Sequence, residues 1–342
     1  MSRWKSEWMT PGGLRGAIVA GSAALLLAGC SAAPEIAPAD QPLTKQTLML
    51  LGKKGMRVEA PIFVRIFKEE SELEVWKQRD DGRFYHFKSY PICNWSGDLG
   101  PKIKQGDKQA PEGFYRVATN QLNPNSQFHV SFNLGYPNSY DKSLGRTGEF
   151  LMVHGKCKSA GCYAMTDALI EEIYGIAREA LKGGQQSFEV HAYPFRMTNE
   201  NMQRHGKSKW VGFWRTMKQG YDFFEVNRVP PQVAVCEHRY IVNVASVDGR
   251  PAQADAPCPA FNRPQLQPFV PKPAEQQLAG ERIEMPGPKM RTAESIHAPE
   301  GEEWTPPAVT YADSGSGTTF SRMFGLGGTQ SPQTKVTGYG FR

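Results

Sequence analysis

The chain has 342 residues, of which 39% are hydrophobic and 22% are charged, and its formal net charge is +6. This length allows two domains or one large domain with tails, and the low hydrophobic fraction indicates either a core diluted by disordered ends or a small β-rich fold. The positive charge is spread thinly, without a dense block of Lys and Arg, so the composition argues against a nucleic-acid-binding protein.

The N-terminal segment is typical of an export signal. Basic residues precede an apolar stretch, Gly16 to Ala28, which is too short for a stable transmembrane helix and fits the hydrophobic part of a signal peptide. The stretch ends in Leu27-Ala28-Gly29-Cys30, which resembles the lipobox of bacterial lipoproteins. We therefore predict a signal peptide over residues 1–29 and lipidation of Cys30. The alternative is an ordinary secretory signal with an incidental cysteine.

The export signal sets the expected location of the protein. The lipobox resemblance implies a lipid anchor in the periplasm of a Gram-negative bacterium, so one predicted partner is the membrane, reached through the N-terminal lipid. Ser31 is not the aspartate that resembles an inner-membrane retention signal, and the outer membrane is therefore preferred to the inner membrane.

Disulfides are permitted among the six cysteines, because an exported protein meets an oxidising compartment. Apart from Cys30 and a candidate nucleophile, Cys162, four remain: Cys93, Cys157, Cys236 and Cys258. Four cysteines allow three pairings, and the sequence does not choose between them. A regulatory disulfide between Cys157 and Cys162 is a further alternative.

The middle of the chain predicts a β-rich domain. Residues 30–46 are rich in Ala, Pro and polar residues and predict a tether, and we expect a domain over residues 47–248. Period-2 alternation and Asp-Gly turns indicate an antiparallel meander. The expected strands are Pro61–Phe67, Glu72–Trp76, Phe84–Tyr90, Gly113–Val117, Phe128–Leu134, Phe150–Val153 and Gln186–Tyr193.

Two long polar loops interrupt these strands. One runs from Asn94 to Gly113, and the other runs from Gly135 to Gly148. Loops of this kind are either plain surface connections or the walls of a substrate groove.

The second half of the chain predicts two helical regions and a tail. Apolar residues at helical spacing predict a helix over Thr166–Leu181 that Gly183-Gly184 ends. An aromatic-rich helical region follows and predicts a core element, then a hairpin over Val233–Val244. Half of the 26 prolines lie beyond residue 248, which predicts a disordered tail over residues 249–342.

The stretch from His154 to Cys162 carries the candidate chemistry. The thiolate is the reactive form of cysteine, and a histidine within hydrogen-bond reach can take the thiol proton and return it to a leaving amine. Gly155 and Gly161 allow the intervening loop to fold back, and backbone N–H groups near Gly161 can form an oxyanion hole. Ser159 can order the loop or bind the substrate. We therefore predict acyl transfer through a Cys162 thioester, with His154 as general base.

Two alternative hypotheses explain the same residues. His154, Cys157 and Cys162 are three zinc-ligating residue types, although Cys-x4-Cys with one adjacent histidine is a poor pattern for a closed zinc site, and no metal or cofactor is expected. A non-catalytic cell-wall-binding lipoprotein on the same scaffold is the second alternative.

The motif His154-Gly155 followed by Ser159-x-Gly161-Cys162 resembles the L,D-transpeptidase catalytic domain of the YkuD type. The continuation Tyr163-Ala164-Met165 resembles its YafK-like branch, and Pro111-Glu112-Gly113-Phe114-Tyr115 resembles an element that precedes the active-site half. The resemblance implies a β-sandwich-type domain with few helices. It also implies Cys162 as nucleophile, His154 as general base, and loop or oxyanion roles for Gly155, Ser159 and Gly161.

The resemblance further implies peptidoglycan stem peptides as the substrate, attacked at meso-diaminopimelate. The expected function is therefore an exported L,D-transpeptidase of cell-wall biogenesis. A hydrolase that releases a protein or cross-bridge from the stem peptide is the alternative, because the two reactions use the same residues.

This sequence departs from the family pattern at one position near the nucleophile. Most members have an arginine two residues after the cysteine, where this chain has Ala164. Arg146 and Arg196 are candidates to replace that arginine. The other candidate substrate-binding residues are His129, Tyr140 and Tyr163.

Overall fold

The computed structural model describes residues 36–264, 266 and 268–270. The predicted signal peptide, Cys30, the first part of the predicted tether and the predicted tail beyond residue 270 lie outside the described residues. Of the helices that the structure describes, none has the length and apolar character needed to cross a membrane.

The described part of the chain is mainly β, as predicted, and contains five α-helices. The strands are β1 (Ile62–Phe67), β2 (Glu72–Gln78), β3 (Phe84–Pro91), β4 (Asn94–Trp95), β5 (Gly113–Ala118), β6 (Leu122–Asn123), β7 (Ser131–Asn133), β8 (Met152–His154), β9 (Tyr163–Ala164), β10 (Ser187–Tyr193), β11 (Val233–Cys236), β12 (Arg239–Val242), β13 (Ala245–Ser246) and β14 (Phe261–Asn262). The helices are α1 (Lys45–Lys53), α2 (Ser139–Ser143), α3 (Asp167–Lys182), α4 (Asn199–Arg204) and α5 (Val211–Asn227).

The larger strands form a mixed five-stranded sheet in the order β3-β2-β1-β10-β5. Strand β1 pairs antiparallel with β2 and parallel with β10. Every residue of β1 is buried, which fits a central strand covered on both faces. Arg65 lies inside this strand because Glu74 and Glu225 neutralise its charge.

The second five-stranded sheet carries the predicted catalytic stretch. Its order is β4-β9-β8-β7-β6, and the central pair β8–β9 is parallel. Strand β8 begins at Met152 and not at Phe150, because Phe150 adopts a φ of +55° and its side chain is 68% exposed.

One hydrophobic cluster contains buried residues of both sheets and of α3, so the two sheets share a core. It includes Val64 of the first sheet, Val153 and Tyr163 of the second, and Ile173 of the helix. Helix α3 buries Leu169, Ile170, Ile173, Ile176, Ala177 and Ala180. These are the residues that the helical spacing places on one face.

A second, aromatic cluster is built around α5. Phe213 and Trp214 pack there with Phe67 and Tyr193 of the first sheet. The aromatic-rich region is therefore a core element, as its composition predicts.

The structure pairs the four cysteines as Cys93–Cys157 and Cys236–Cys258. Within the described residues, Cys162 is the free cysteine. The alternative of a Cys157–Cys162 disulfide is therefore wrong for this structure.

Ordered contacts extend beyond both predicted domain boundaries. Before residue 47, Ala39 is buried in the core, and Arg178 donates to the carbonyl oxygen of Gln41 at 3.1 Å. After residue 248, strand β14 pairs with β13, and Cys258 is bonded to Cys236. The predicted tether and tail therefore each contribute residues to the folded domain, because backbone pairing and a disulfide offset the few apolar residues there.

We expect Ile173→Ala to lower the free energy of unfolding by about 2–4 kcal/mol, because it opens a cavity where α3 meets the sheets. Chemical denaturation followed by circular dichroism measures this change. The matched control on the same helix is Lys182→Ala, whose side chain is 66% exposed, and we expect a change within about 0.5 kcal/mol. Equal effects of the two variants would contradict the packing described here.

Candidate active site

The parallel pairing of β8 with β9 brings the segments of His154 and Cys162 together. His154 lies opposite Ala164, and Val153 lies opposite Tyr163. Cys162 comes directly before β9, and the Met152 N–H of β8 donates to its Sγ at 3.4 Å. The thiol is therefore held at Met152, two residues before His154 on the same strand.

The connection between them is a tightly fixed loop. Lys156 and Cys157 adopt positive φ angles of 61° and 51°. The Cys157 N–H donates to the Met165 carbonyl oxygen at 3.1 Å, and the disulfide to Cys93 joins the loop to the start of β4. The loop is therefore held by both the backbone and a covalent bond.

The two glycines of the loop serve different purposes. Gly161 has a φ of +123°, a conformation that L side chains rarely adopt. A Cβ at Gly155 would lie 2.5 Å from Asp167 Oδ1 and 3.0 Å from the Phe128 carbonyl oxygen. Gly155 is therefore required for space and Gly161 for backbone conformation.

His154 is fixed in the orientation that a base needs. Its Nδ1 donates to the Gly155 carbonyl oxygen at 2.7 Å, which leaves the Nε2 lone pair available to accept a proton. The side chain is buried, and the Phe128 ring lies 4.7 Å from the imidazole ring, centroid to centroid. Burial lowers the pKa of His154, although the bond to Gly155 opposes this, so the imidazole is neutral at neutral pH.

Cys162 is held as a thiol. Its Sγ donates to the Phe150 carbonyl oxygen at 3.6 Å. Burial raises the pKa of the Cys162 thiol, whereas the Met152 N–H and the charge of Lys102 act in the opposite direction. Helix α3 begins five residues later, at Asp167, with β9 in between. The helix dipole falls off within one turn, so α3 contributes little to the ionisation of Cys162.

In the part of the chain that the structure describes, no hydrogen bond joins His154 to Cys162. The thiol is directed to the Phe150 carbonyl and not to the imidazole. The thiol contacts β8 at Met152, two residues before His154, and catalytic hydrogen bonds are often long in the absence of substrate.

Ser159 orders the end of the loop. Its hydroxyl donates to the Cys162 carbonyl oxygen at 2.7 Å and accepts from the Gly161 N–H at 3.3 Å. Ser96 contacts the same hydroxyl at 3.3 Å. Of the two roles predicted for Ser159, the geometry favours ordering the loop. The Gly161 N–H is engaged with Ser159 and is not directed at a substrate oxygen.

Three of the predicted substrate-binding residues are buried in the core. Tyr140 is 1% exposed and stacks on Tyr240 with ring centroids 4.2 Å apart. Arg146 is 5% exposed and pairs with Asp141 at 2.8 Å. Tyr163 is fully buried, and its hydroxyl donates to the Pro111 carbonyl oxygen at 2.7 Å. None of the three offers a surface to a substrate in this structure.

Arg196, the fourth predicted substrate-binding residue, also forms its ion pairs within the folded domain. Its guanidinium pairs with Glu72 at 2.5 Å and Glu74 at 2.7 Å, and it lies over the Phe67 ring. These partners are in the first sheet, so neither Arg196 nor Arg146 takes the place of the missing arginine.

His129 is the substrate-binding candidate that lies beside the catalytic loop. A Cβ at Gly155 would be 3.0 Å from His129 Cβ. The ring Nε2 is 2.5 Å from Glu171 Oε1, and Nδ1 is 3.9 Å from Asp167 Oδ2. His129 therefore helps to enclose the loop, and it is already paired with acidic residues of α3.

The 94–113 loop supplies residues that the sequence did not single out. Gln109 places its carbonyl oxygen 3.5 Å from the position of a Cβ on Gly161. Lys102, on the same loop, is 4% exposed and pairs with Asp107. The sequence left open whether this loop is a plain surface connection or a groove wall, and no pattern in it indicates which of its residues lies beside the catalytic loop.

The structure removes one of the three ligands of the alternative zinc site. Cys157 is bonded to Cys93 and is therefore unavailable to a metal. Within residues 36–264, 266 and 268–270, no cluster of three or more His, Cys, Asp or Glu side chains could hold a metal ion.

Comparison with known proteins identifies the family. The chain is 47% identical over 190 residues to the Escherichia coli K12 protein named "Putative L,D-transpeptidase YafK", and the match covers 56% of this chain and 77% of that protein. The protein of the same name in Escherichia coli O157:H7 matches to the same extent. No protein-family model matches the chain.

Two solved structures are also similar. The helical cell shape determining protein Pgp2 of Campylobacter jejuni matches over 55% of this chain and 79% of its own, with 18% identity and a TM-score of 0.32. Bd1075 of Bdellovibrio bacteriovorus matches over 48% of this chain and 60% of its own, with 20% identity and a TM-score of 0.28.

The described part of the chain is thus a mainly β domain with a free thiol and an oriented imidazole beside the same strand, β8. It belongs to the L,D-transpeptidase family, to which its YafK relatives also belong, and the family resemblance predicted from the motif is confirmed.

We expect alkylation of Cys162 by iodoacetamide to keep accelerating with pH beyond the range in which an ordinary thiol ionises. The reason is that burial raises the pKa of this thiol, so the reactive thiolate becomes abundant only at alkaline pH. Mass spectrometry of the labelled peptide over about pH 6 to 10 gives the profile. The Cys162→Ser variant is the control for labelling elsewhere, and a rate that is already constant near neutral pH would contradict a raised pKa for this half-buried thiol.

Proposed function

We propose that this protein is an exported, cysteine-dependent peptidoglycan L,D-transpeptidase that acts on stem peptides at meso-diaminopimelate through a Cys162 thioester. The observation that carries the proposal is a free thiol bonded to Met152 of β8, with an oriented imidazole two residues further along the same strand. Membership of the L,D-transpeptidase family supports a peptidoglycan substrate.

The first half of the reaction follows from the two neutral groups. His154 Nε2 takes the thiol proton as Cys162 Sγ attacks the amide carbonyl carbon, so the charged pair forms only together with the tetrahedral intermediate. Collapse of the intermediate breaks the amide C–N bond. The imidazolium returns its proton to the leaving amine, and the acyl group remains on sulfur as a thioester.

The second half of the reaction decides which product forms. An acceptor amine loses its proton to His154 and attacks the thioester, which forms a new amide and regenerates the thiol. If water takes the place of the amine, the product is a carboxylate, and the same residues perform a hydrolysis. Hydrolytic release of a protein or cross-bridge is therefore the alternative outcome of one mechanism.

Export and lipid anchoring are part of the proposal. The leader and the lipobox at Cys30 support a periplasmic, membrane-anchored protein. Two disulfides within the folded domain support an oxidising compartment. The outer membrane is proposed as the site of the anchor.

We expect the full chain to change the muropeptides of isolated sacculi, and we expect Cys162→Ala to abolish the change because it removes the nucleophile. Mass spectrometry of the digested sacculi is the measurement. New diaminopimelate-linked dimers or exchanged terminal residues indicate a transpeptidase. Loss of a linked protein or cross-bridge with uptake of water indicates a hydrolase.

The matched control for this experiment is Lys104→Met, which removes an exposed side chain in the loop beside the site and keeps both reacting groups. It should act like the unmodified chain. Full activity of Cys162→Ala would rule out the thioester mechanism. Unchanged sacculi with every variant would favour the non-catalytic binding lipoprotein.

A further inference from the structure

The 127–129 turn, which precedes β7, contacts the catalytic stretch directly. The Phe128 ring lies 4.7 Å from the His154 ring, centroid to centroid, with the two planes inclined by 47°. The Phe128 carbonyl oxygen accepts from the Gly155 N–H at 2.9 Å. The Gln127 carbonyl oxygen accepts from Lys156 Nζ at 2.6 Å. This turn therefore touches the catalytic base and the two residues that follow it.

Helix α3 holds the 127–129 turn in an uncommon conformation. His129 has a φ of +76°, a region that residues other than glycine rarely adopt and that often occurs at functional sites. Its Nε2 is 2.5 Å from Glu171 Oε1, and its Nδ1 is 3.9 Å from Asp167 Oδ2. Asp167 Oδ1 also accepts from the Lys156 N–H at 2.8 Å. The same helix therefore holds the turn and the catalytic loop against each other.

Phe128 covers the catalytic base but is not itself a core residue. Phe128 is 41% exposed, whereas His154, which it contacts, is only 4% exposed. The strand neighbours of His154 are Ser131 on β7 and Ala164 on β9, and both have small side chains. Phe128 therefore presents a large apolar surface to the imidazole and keeps part of its own surface in contact with solvent.

We propose that Phe128 is a positioning residue for His154. His129 keeps Phe128 in place through its contact with Glu171. The Phe128 ring restricts rotation of the imidazole, and the Gly155 carbonyl oxygen holds Nδ1, so that Nε2 stays free to accept the thiol proton. Geometry set in advance lowers the barrier, because little reorganisation remains at the moment of attack. The inference rests on the proposed function only in taking His154 as the general base.

The ionisation of His154 reports the contact with the ring. Burial lowers the pKa of His154, and Phe128 is part of what buries it. The ionisable side chains of the segments packed around His154 are those of His129, Lys156, Lys158, Cys162, Asp167 and Glu171. Replacement of Phe128 by alanine removes none of these charges, so a change in the pKa of His154 measures the loss of the ring.

We expect Phe128→Ala to raise the pKa of His154, because water then reaches the imidazole, and to move part of the proton of the neutral ring to Nε2. NMR of the full chain with ¹⁵N-labelled histidine measures both, with His154 assigned by the loss of its signal in His154→Gln. The rate of muropeptide change should fall by roughly ten- to a hundredfold. Phe128→Tyr should restore all three, since the added hydroxyl can reach water. Asn125→Ala, in the same connection and exposed, is the matched control.

A second pair of variants releases the turn without changing Phe128. Glu171→Ala removes the partner of His129, whereas Glu171→Gln keeps an acceptor for it, and both variants lose the same charge. We expect the proton of neutral His154 to move towards Nε2 in Glu171→Ala and to stay on Nδ1 in Glu171→Gln. A difference between the two variants therefore reports the contact and not the charge.

An unchanged pKa and tautomer of His154 in Phe128→Ala would overturn the proposal, as would a failure of tyrosine to restore them. A fall in rate with an unchanged imidazole would place Phe128 on the substrate and would also overturn it. Equal tautomers in the two Glu171 variants would overturn the part assigned to His129. If Phe128→Ala does not fold, the comparison of the two Glu171 variants decides the question. The NMR measurement needs no peptidoglycan, so it can fail independently of the muropeptide assay.

Discussion

A buried ion pair between Lys68 and Glu112 fixes the loop on which the site depends. Neither side chain is exposed, and the two are 3.0 Å apart. Lys68 also donates to the carbonyl oxygens of Asp98, Gly100 and Ala110. Glu112 accepts from the Gly100 N–H and from the Trp214 indole of α5. Burial lowers the pKa of Lys68 and Glu112 opposes this, so each charge requires the other, and loss of one partner costs about 3–5 kcal/mol.

The environment of Cys162 and His154 keeps both groups neutral until a substrate reacts. Burial raises the pKa of the thiol and lowers that of the imidazole, and both shifts disfavour an ion pair at rest. Because the thiolate is the reactive form of cysteine, a raised pKa lowers the reactivity of the resting thiol at neutral pH. The cost is that the charges must form during attack, so fixed dipoles and nearby charges have a larger effect than they would in water.

The sequence predicted those features that depend on local pattern. Helix α3 was predictable because its apolar residues recur at helical spacing. Cys162 and His154 were predictable as a candidate pair because the motif that contains them is contiguous in the sequence. The cysteine pairing could not be predicted in this way, because Cys93 and Cys157 are separated by 64 residues of chain. Arg146 and Arg196 were wrongly expected to face substrate, because sequence does not show that Asp141 and Glu72 lie beside them and neutralise them.

The same limit applies to the charged side chains of the 94–113 loop. An arginine at position 164 would be part of β9 itself, so its position would follow from strand pairing alone. Lys102 instead pairs with Asp107 across a turn of the loop, and no local pattern in the sequence gives that partner. Ala164 is fully buried and lies opposite His154, so the position two residues after the nucleophile contributes packing and not charge in this chain. The orientation of the imidazole is therefore set by the backbone, through the Gly155 carbonyl oxygen, and not by a charged neighbour on β9.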